Sequence, residues 1–149
     1  MSHNSTTRFS NKVENYIKYR PHYPKAVIDY LKSENILKND SVIADIGSGT
    51  GISAEMFLKN GSTVYGVEPN KEMREAAERL MSNYKNFISV NGTAEVTSLG
   101  IHSIDLIVAA QAFHWFDLDK TKAEFKRILK PKGMLYCYGM HGLRTPHPF

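Results

Sequence analysis

Asp45 sits near the end of an apolar run, Val42-Ile43-Ala44-Asp45-Ile46, and three alternating glycines follow it, Gly47, Gly49 and Gly51, with Ser48 and Thr50 between them. Glycines at this spacing let a backbone turn tightly against a ligand, and the start of the next helix offers unpaired N–H groups. Two common phosphate sites do not fit. The dinucleotide fingerprint needs its last glycine or alanine where this chain has Ile52, and no Gly-Lys-Ser/Thr ends the loop as a phosphate-cradling loop requires. Asp45 would repel a phosphate. The residues point instead to a nucleoside without phosphate, bearing an amine or cationic group that Asp45 can face.

Glu68 supports the nucleoside reading. It follows the run Thr63-Val64-Tyr65-Gly66-Val67, 17 residues after Gly51, where a carboxylate can accept from both hydroxyls of an adenosine ribose. A solvated carboxylate at a strand end is the alternative. Thr93-Ala94-Glu95 can offer backbone amides and a side chain to an adenine edge, or Glu95 can simply cap a turn. His114 is the candidate acid or base, since a neutral imidazole can take a proton from a hydroxyl or amine; a structural histidine is the alternative. The six histidines lack ligand spacing, so no metal is expected. The single cysteine, Cys137, lies in an apolar run and is expected to be a buried, inert thiol.

Elements that position such residues are legible along the chain. The spacing predicts a short helix over 9–19, halted by the double-proline segment Tyr19-Arg20-Pro21-His22-Tyr23-Pro24, then an amphipathic helix over 25–35 burying Val27, Ile28, Leu31 and Ile36. Strands are predicted at 42–46, 63–67, 87–90, 104–109 and 134–138. Helices are predicted at 51–60, with Ile52, Met56 and Phe57 inward and Gly61 ending it, at 71–82 with Asn70 as N-cap, and at 118–129, halted by Lys130-Pro131-Lys132-Gly133. This alternation implies an α/β fold, a doubly wound, mostly parallel sheet of about five strands with helices on both faces. Every candidate above then falls at the carboxyl ends of strands, where such sheets bind ligands.

The chain of 149 residues is expected to form a single domain, with 1–38 as an N-terminal helical lid, 39–139 as a Rossmann-like core and 140–149 as an irregular tail. Its apolar fraction of 42% and charged fraction of 23% are those of ordinary globular proteins, and no run approaches a membrane span. The polar first residues carry no signal-peptide pattern, so a cytoplasmic location is expected. Net charge is +4, but the lysines are dispersed beside glutamates on helix faces, which argues against nucleic acid as a partner.

The runs 45–51, 67–69, 92–95, 105–117 and 129–134 together resemble class I S-adenosylmethionine-dependent methyltransferases of the type 11 group, in order and spacing, over about 16–138. That resemblance implies S-adenosylmethionine as cofactor, with the 47–51 turn against its methionyl part, Glu68 and Pro69 at ribose, Ala94 and Glu95 at adenine, and Gln111 nearby. Two further stretches, 16–24 and 110–117, are similar to the subgroup that includes trans-aconitate methyltransferase. They imply a lid of Tyr16, Arg20, Tyr23, His114 and Trp115 over the methyl group, where aromatic faces suit a sulfonium and Arg20 suits a carboxylate. The implied reaction is methyl transfer to a small molecule. The resemblance stops near Gly139, so a shortened chain lacking the family's usual C-terminal antiparallel strands is expected, with strand five as a bare sheet edge open to homodimerisation. A non-catalytic cofactor-binding or oligomerising remnant is the first alternative and a nicotinamide-dependent oxidoreductase the second.

Overall fold

The computed structural model describes residues 25–110, 117–138 and 147–148. In chain order these form α1 (Lys25–Ser33), β1 (Val42–Ile46), α2 (Ile52–Lys59), β2 (Thr63–Val67), α3 (Lys71–Leu80), β3 (Phe87–Val90), β4 (Ile104–Ala110), α4 (Leu118–Ile128), β5 (Leu129–Tyr138) and β6 (His147–Pro148). One sheet contains all the strands in the order β3-β2-β1-β4-β5-β6, with the first five parallel. The chain leaves β1 in one direction across the sheet and later returns to lay β4 on its other side. That reversal opens a crevice at the carboxyl ends of β1 and β4.

Successive side chains on a strand face opposite ways, and the core divides accordingly. Ile43, Val64, Leu106 and Val108 pack with Val27 and Leu31 of α1 and Phe57 and Leu58 of α2. Ala44, Ile46, Ile107 and Leu135 pack with Phe125 and Ile128 of α4. Buried on both faces, β1 is apolar throughout except at Asp45. A polar residue there needs a reason other than packing.

Two helix ends are set by residues in the left-handed conformation. Asn35, at φ 62, donates its N–H to Lys32 O, and Ile36 N–H reaches back to Leu31 O at 2.9 Å. This Schellman closure ends α1 at Ser33, earlier than the predicted 25–35 helix, and Leu37 rather than Ile36 becomes fully buried. Gly61, at φ 95, closes α2 in the same way through Gly61 N–H to Leu58 O and Ser62 N–H to Phe57 O. Asn70 caps α3 as its sequence suggests, its Oδ1 accepting from Met73 N–H at 2.9 Å.

Three further expectations change. β5 begins at Leu129 directly after α4, because Ile104 pairs with Leu129 and Leu106 with Met134, and the intervening Lys130–Gly133 stretch bulges out of register. A Cβ at Gly133 would stand 2.6 Å from Leu129 Cδ2 and 3.0 Å from Lys130 O, so a larger residue there would force its neighbours to shift. Cys137 is half-buried rather than fully buried, packing at the margin of the α4-side core. The edge of β5 is not bare over Met134 and Leu135, where residues 148 and 147 of the expected irregular tail pair antiparallel with it as β6. Within residues 1–38, α1 buries Val27, Ile28 and Leu31 in the core, the face its spacing predicts. The predicted 9–19 helix lies outside the described residues.

Candidate functional site

The crevice floor is built by the turn that follows β1. Gly47, Gly49 and Gly51 adopt φ of 69, 57 and 95, a region that disfavours any residue with a Cβ. Gly47 N–H donates to Val67 O at 2.9 Å and Ser48 N–H to the same carbonyl at 3.3 Å, so the turn is fastened to the end of β2. Close seating there demands Gly66 as well, where a Cβ would stand 2.8 Å from the Phe87 ring and 3.1 Å from Ser48 Oγ. Gly51 caps α2 without a side-chain acceptor, leaving first-turn N–H groups for a ligand.

Glu68 is held by the same turn. Its Oε1 accepts from Gly49 N–H at 2.8 Å and its Oε2 from Asn70 N–H at 3.0 Å. Each carboxylate oxygen keeps a further lone pair, which suits two adjacent hydroxyls. Beneath it, Arg74 Nη1 donates to Glu68 O at 3.0 Å, to Pro69 O at 2.8 Å and to Asn91 Oδ1 at 3.2 Å. Arg74 thus ties the end of β2 to the end of β3. Sequence reasoning passed over Arg74 and Asn91; a basic residue on the first turn of α3 gives no distinguishing signal.

Asp45 is 1% exposed, and its Oδ2 accepts from Ser53 Oγ on α2 at 2.7 Å. Burial pushes its carboxyl up to about 7, with Glu68 adding to the rise and the Ser53 hydrogen bond opposing it. Ser53 too was missed, although it lies two residues beyond Gly51 where α2 turns back towards β1.

The third wall is the turn after β3. Thr93 N–H donates to Val96 O at 2.9 Å and Val96 N–H to Thr93 Oγ1 at 3.1 Å, leaving Ala94 and Glu95 at its apex. Ala94 is buried and Glu95 half-buried. The structure therefore gathers Asp45, Gly47, Ser48, Gly49, Thr50, Gly51, Glu68 and Pro69 around one turn, with Ala94 and Glu95 on the neighbouring loop. Gln111, His114 and Trp115, and Tyr16, Arg20 and Tyr23, lie outside the described residues.

These residues fit an S-adenosylmethionine molecule on three counts. A Cβ at Gly49 would meet nothing within 4 Å, so the turn faces open space. Thr50 Oγ1 is buried and has no hydrogen-bond partner among the described residues. Asp45 lacks a basic partner there, the chemistry a sulfonium or ammonium would satisfy.

Comparison with known proteins agrees with this geometry. The methyltransferase domain family model matches residues 44–137, more than half of the chain. An uncharacterized methyltransferase-like protein of Schizosaccharomyces pombe is 30% identical over 128 residues, covering 85% of this chain and 49% of that protein. The chain thus spans about half the length of the curated relatives it matches. Among solved structures, an assigned S-adenosyl-L-methionine-dependent methyltransferase of Methanococcus maripaludis superposes with a TM-score of 0.75 at 23% identity, over 87% of this chain and 62% of that one. Geranyl diphosphate C-methyltransferase of Streptomyces coelicolor, solved with S-adenosyl-L-homocysteine, gives a TM-score of 0.67 at 20% identity, over 76% of this chain and 42% of that one. Since the matched region runs from β1 through the glycine turn and Glu68 to β5, the chain belongs to the methyltransferase domain family.

Proposed function

We propose that this chain binds S-adenosylmethionine across the carboxyl ends of β1, β2 and β3 and transfers its methyl group to a small-molecule acceptor. The observation that carries the reading is the Glu68 carboxylate, fixed at the glycine turn by Gly49 and Asn70 N–H groups and so presented as a rigid acceptor pair. In this reading Glu68 and Pro69 flank the ribose, and Ala94 and Glu95 border the adenine. Gly47, Ser48, Gly49, Thr50 and Gly51 line the methionyl part, with Asp45 supplying negative potential beneath the cation. Gln111 adds a contact at the end of β4. Bound there, the cofactor would supply an electrophilic methyl group, with S-adenosylhomocysteine leaving as the S–CH3 bond breaks and the bond to the acceptor's nucleophile forms in line.

The protein's contribution is chiefly positioning. Holding nucleophile and methyl in near-attack geometry replaces an encounter in solution, an effect worth about 7–11 kcal/mol in well-oriented systems. Tyr16, Arg20, Tyr23 and Trp115 bound the acceptor in this scheme. His114 takes the proton when the acceptor is a hydroxyl or amine, and a carboxylate acceptor needs no base. The acceptor in this reading is a small molecule and not a nucleic acid, in keeping with the dispersed lysines.

Calorimetric titration with S-adenosylmethionine, S-adenosylhomocysteine and NADH tests the binding half. Micromolar binding of both sulfur nucleosides and none of NADH is expected; the reverse pattern overturns the reading. Methyl transfer from labelled cofactor to a panel of carboxylate, hydroxyl and amine acceptors tests the rest. Cofactor binding without turnover on any of them favours a non-catalytic binding module.

A further inference from the structure

We propose that Glu124, in the second half of α4 and remote from the glycine turn, is a positioning residue for nucleobase recognition, acting through Thr97 on the turn that carries Ala94 and Glu95. This inference rests on the cofactor reading above.

The connection from β3 to β4, residues 91–103, has neither helix nor strand of its own. Besides the Thr93–Val96 pair within its turn and the Arg74–Asn91 contact at its start, its fastenings at Thr97, Leu99, His102 and Ser103 all run to α4. Glu124 Oε2 accepts from Thr97 N–H at 2.9 Å and from Thr97 Oγ1 at 2.6 Å. Arg127 grips the same carboxylate, Nε to Oε1 at 2.8 Å and Nη2 to Oε2 at 2.8 Å, while Nη2 also donates to Leu99 O at 2.7 Å. Thr97 and Leu99 are therefore both held by one helix.

Between them lies Ser98 at φ 68, a left-handed conformation that a non-glycine residue keeps only when its surroundings enforce it. On the other side of Thr97, Gly92 passes so close that a Cβ would stand 2.7 Å from Thr97 O. Thr97 itself is fully buried, so the turn cannot shift about it without breaking the bonds to Glu124. The apex residues Ala94 and Glu95 lie three and two residues from this anchor, with the Thr93–Val96 pair and the burial of Ala94 shaping the turn between. Its place over the nucleobase is thus set by α4. Asp117 caps the start of that helix, its Oδ1 accepting from Lys120 N–H at 3.2 Å, directly after the segment carrying His114 and Trp115.

The test compares binding of S-adenosylhomocysteine with that of S-inosylhomocysteine, which carries a 6-oxo group in place of the adenine amine. The wild-type chain is expected to prefer the adenine form. Glu124→Ala should weaken S-adenosylhomocysteine by about tenfold, the loss of charge-assisted hydrogen bonds acting at one remove, and bring the ratio of the two affinities towards unity. Thr97→Val, which keeps the N–H but removes the hydroxyl, should move the ratio the same way, and Thr97→Ser should restore it. The Thr97 pair decides the matter if Glu124→Ala does not fold. A merely structural role would lower thermal stability and leave the ratio unchanged, and that result in a folded variant overturns the proposal while the cofactor reading stands. A folded wild-type chain that binds neither ligand overturns both.

Discussion

In the proposed function Glu68 joins cofactor recognition to the shape of the glycine turn, because the carboxylate that would take the ribose also accepts from Gly49 N–H. Glu68→Ala should weaken S-adenosylhomocysteine by about 1.5–3 kcal/mol, a charge-assisted contribution, and unchanged affinity in calorimetry removes Glu68 from the site. Gly49 isolates the turn's conformation: alanine must hold φ 57, costing roughly 1–2 kcal/mol, and its Cβ enters the cradle. Gly49→Ala should therefore lose more binding than stability, measured by titration and urea unfolding together. Asp45 carries a pH dependence of defined sign. Its folded value near 7 lies above the ordinary 3.8, so the folded chain keeps a proton that the unfolded chain releases. Its contribution to stability is greatest below about pH 4, falls as pH rises to about 7 and then levels, over a span of about 4 kcal/mol. Urea midpoints for Asp45→Asn should lack that slope; a variant with the wild-type slope refutes the assignment.

At the scale of elements, helix ends and caps decide where side chains arrive. Asn35→Val should destabilise the fold by about 1–2 kcal/mol because a β-branched residue resists the left-handed closure of α1, whereas Asn35→Gly should be nearly neutral, as thermal unfolding would record. The Glu124–Arg127 pair on α4 behaves oppositely to Asp45. Arg127 above all, with the Thr97 hydroxyl and N–H, holds the Glu124 carboxyl down at about 2 against the opposing effect of burial. A depressed acid stabilises above its unfolded value, so this contribution is present above about pH 4.5 and fades towards pH 2. Glu124→Gln should accordingly cost about 2 kcal/mol at pH 7, and progressively less as pH falls from about 4.5 through about 2, in denaturant titrations. None of this was legible as function in the sequence, because Thr97 and Leu99, the partners of Glu124 and Arg127, lie 27 or more residues away.

Across the whole molecule, the sheet order brings residues from β1, β2 and β3 to one crevice and leaves β5 and β6 on one side. With β6 pairing only Met134 and Leu135, association between copies would use the remainder of the β5 edge, and light scattering over a concentration series checks it: a monomer at every concentration removes the dimer. The sequence by itself determined the alternation of strands and helices, the glycine turn and the acid after β2. These are local signals, since periodicity, left-handed glycines and spacing along the chain follow from backbone geometry within a few residues. Only the tertiary structure decided that Asp45 is buried against Ser53, that Glu68 accepts from Gly49 N–H of the glycine turn, that Arg74 reaches Asn91 at the end of β3, and that Glu124 holds the turn at Thr97. It also decided that β5 bulges over Lys130–Gly133 and that residues 147–148 return to its edge. The physical reason is that a hydrogen bond or a burial cost depends on which groups meet in space, and groups far apart in the chain meet only once the sheet order is fixed.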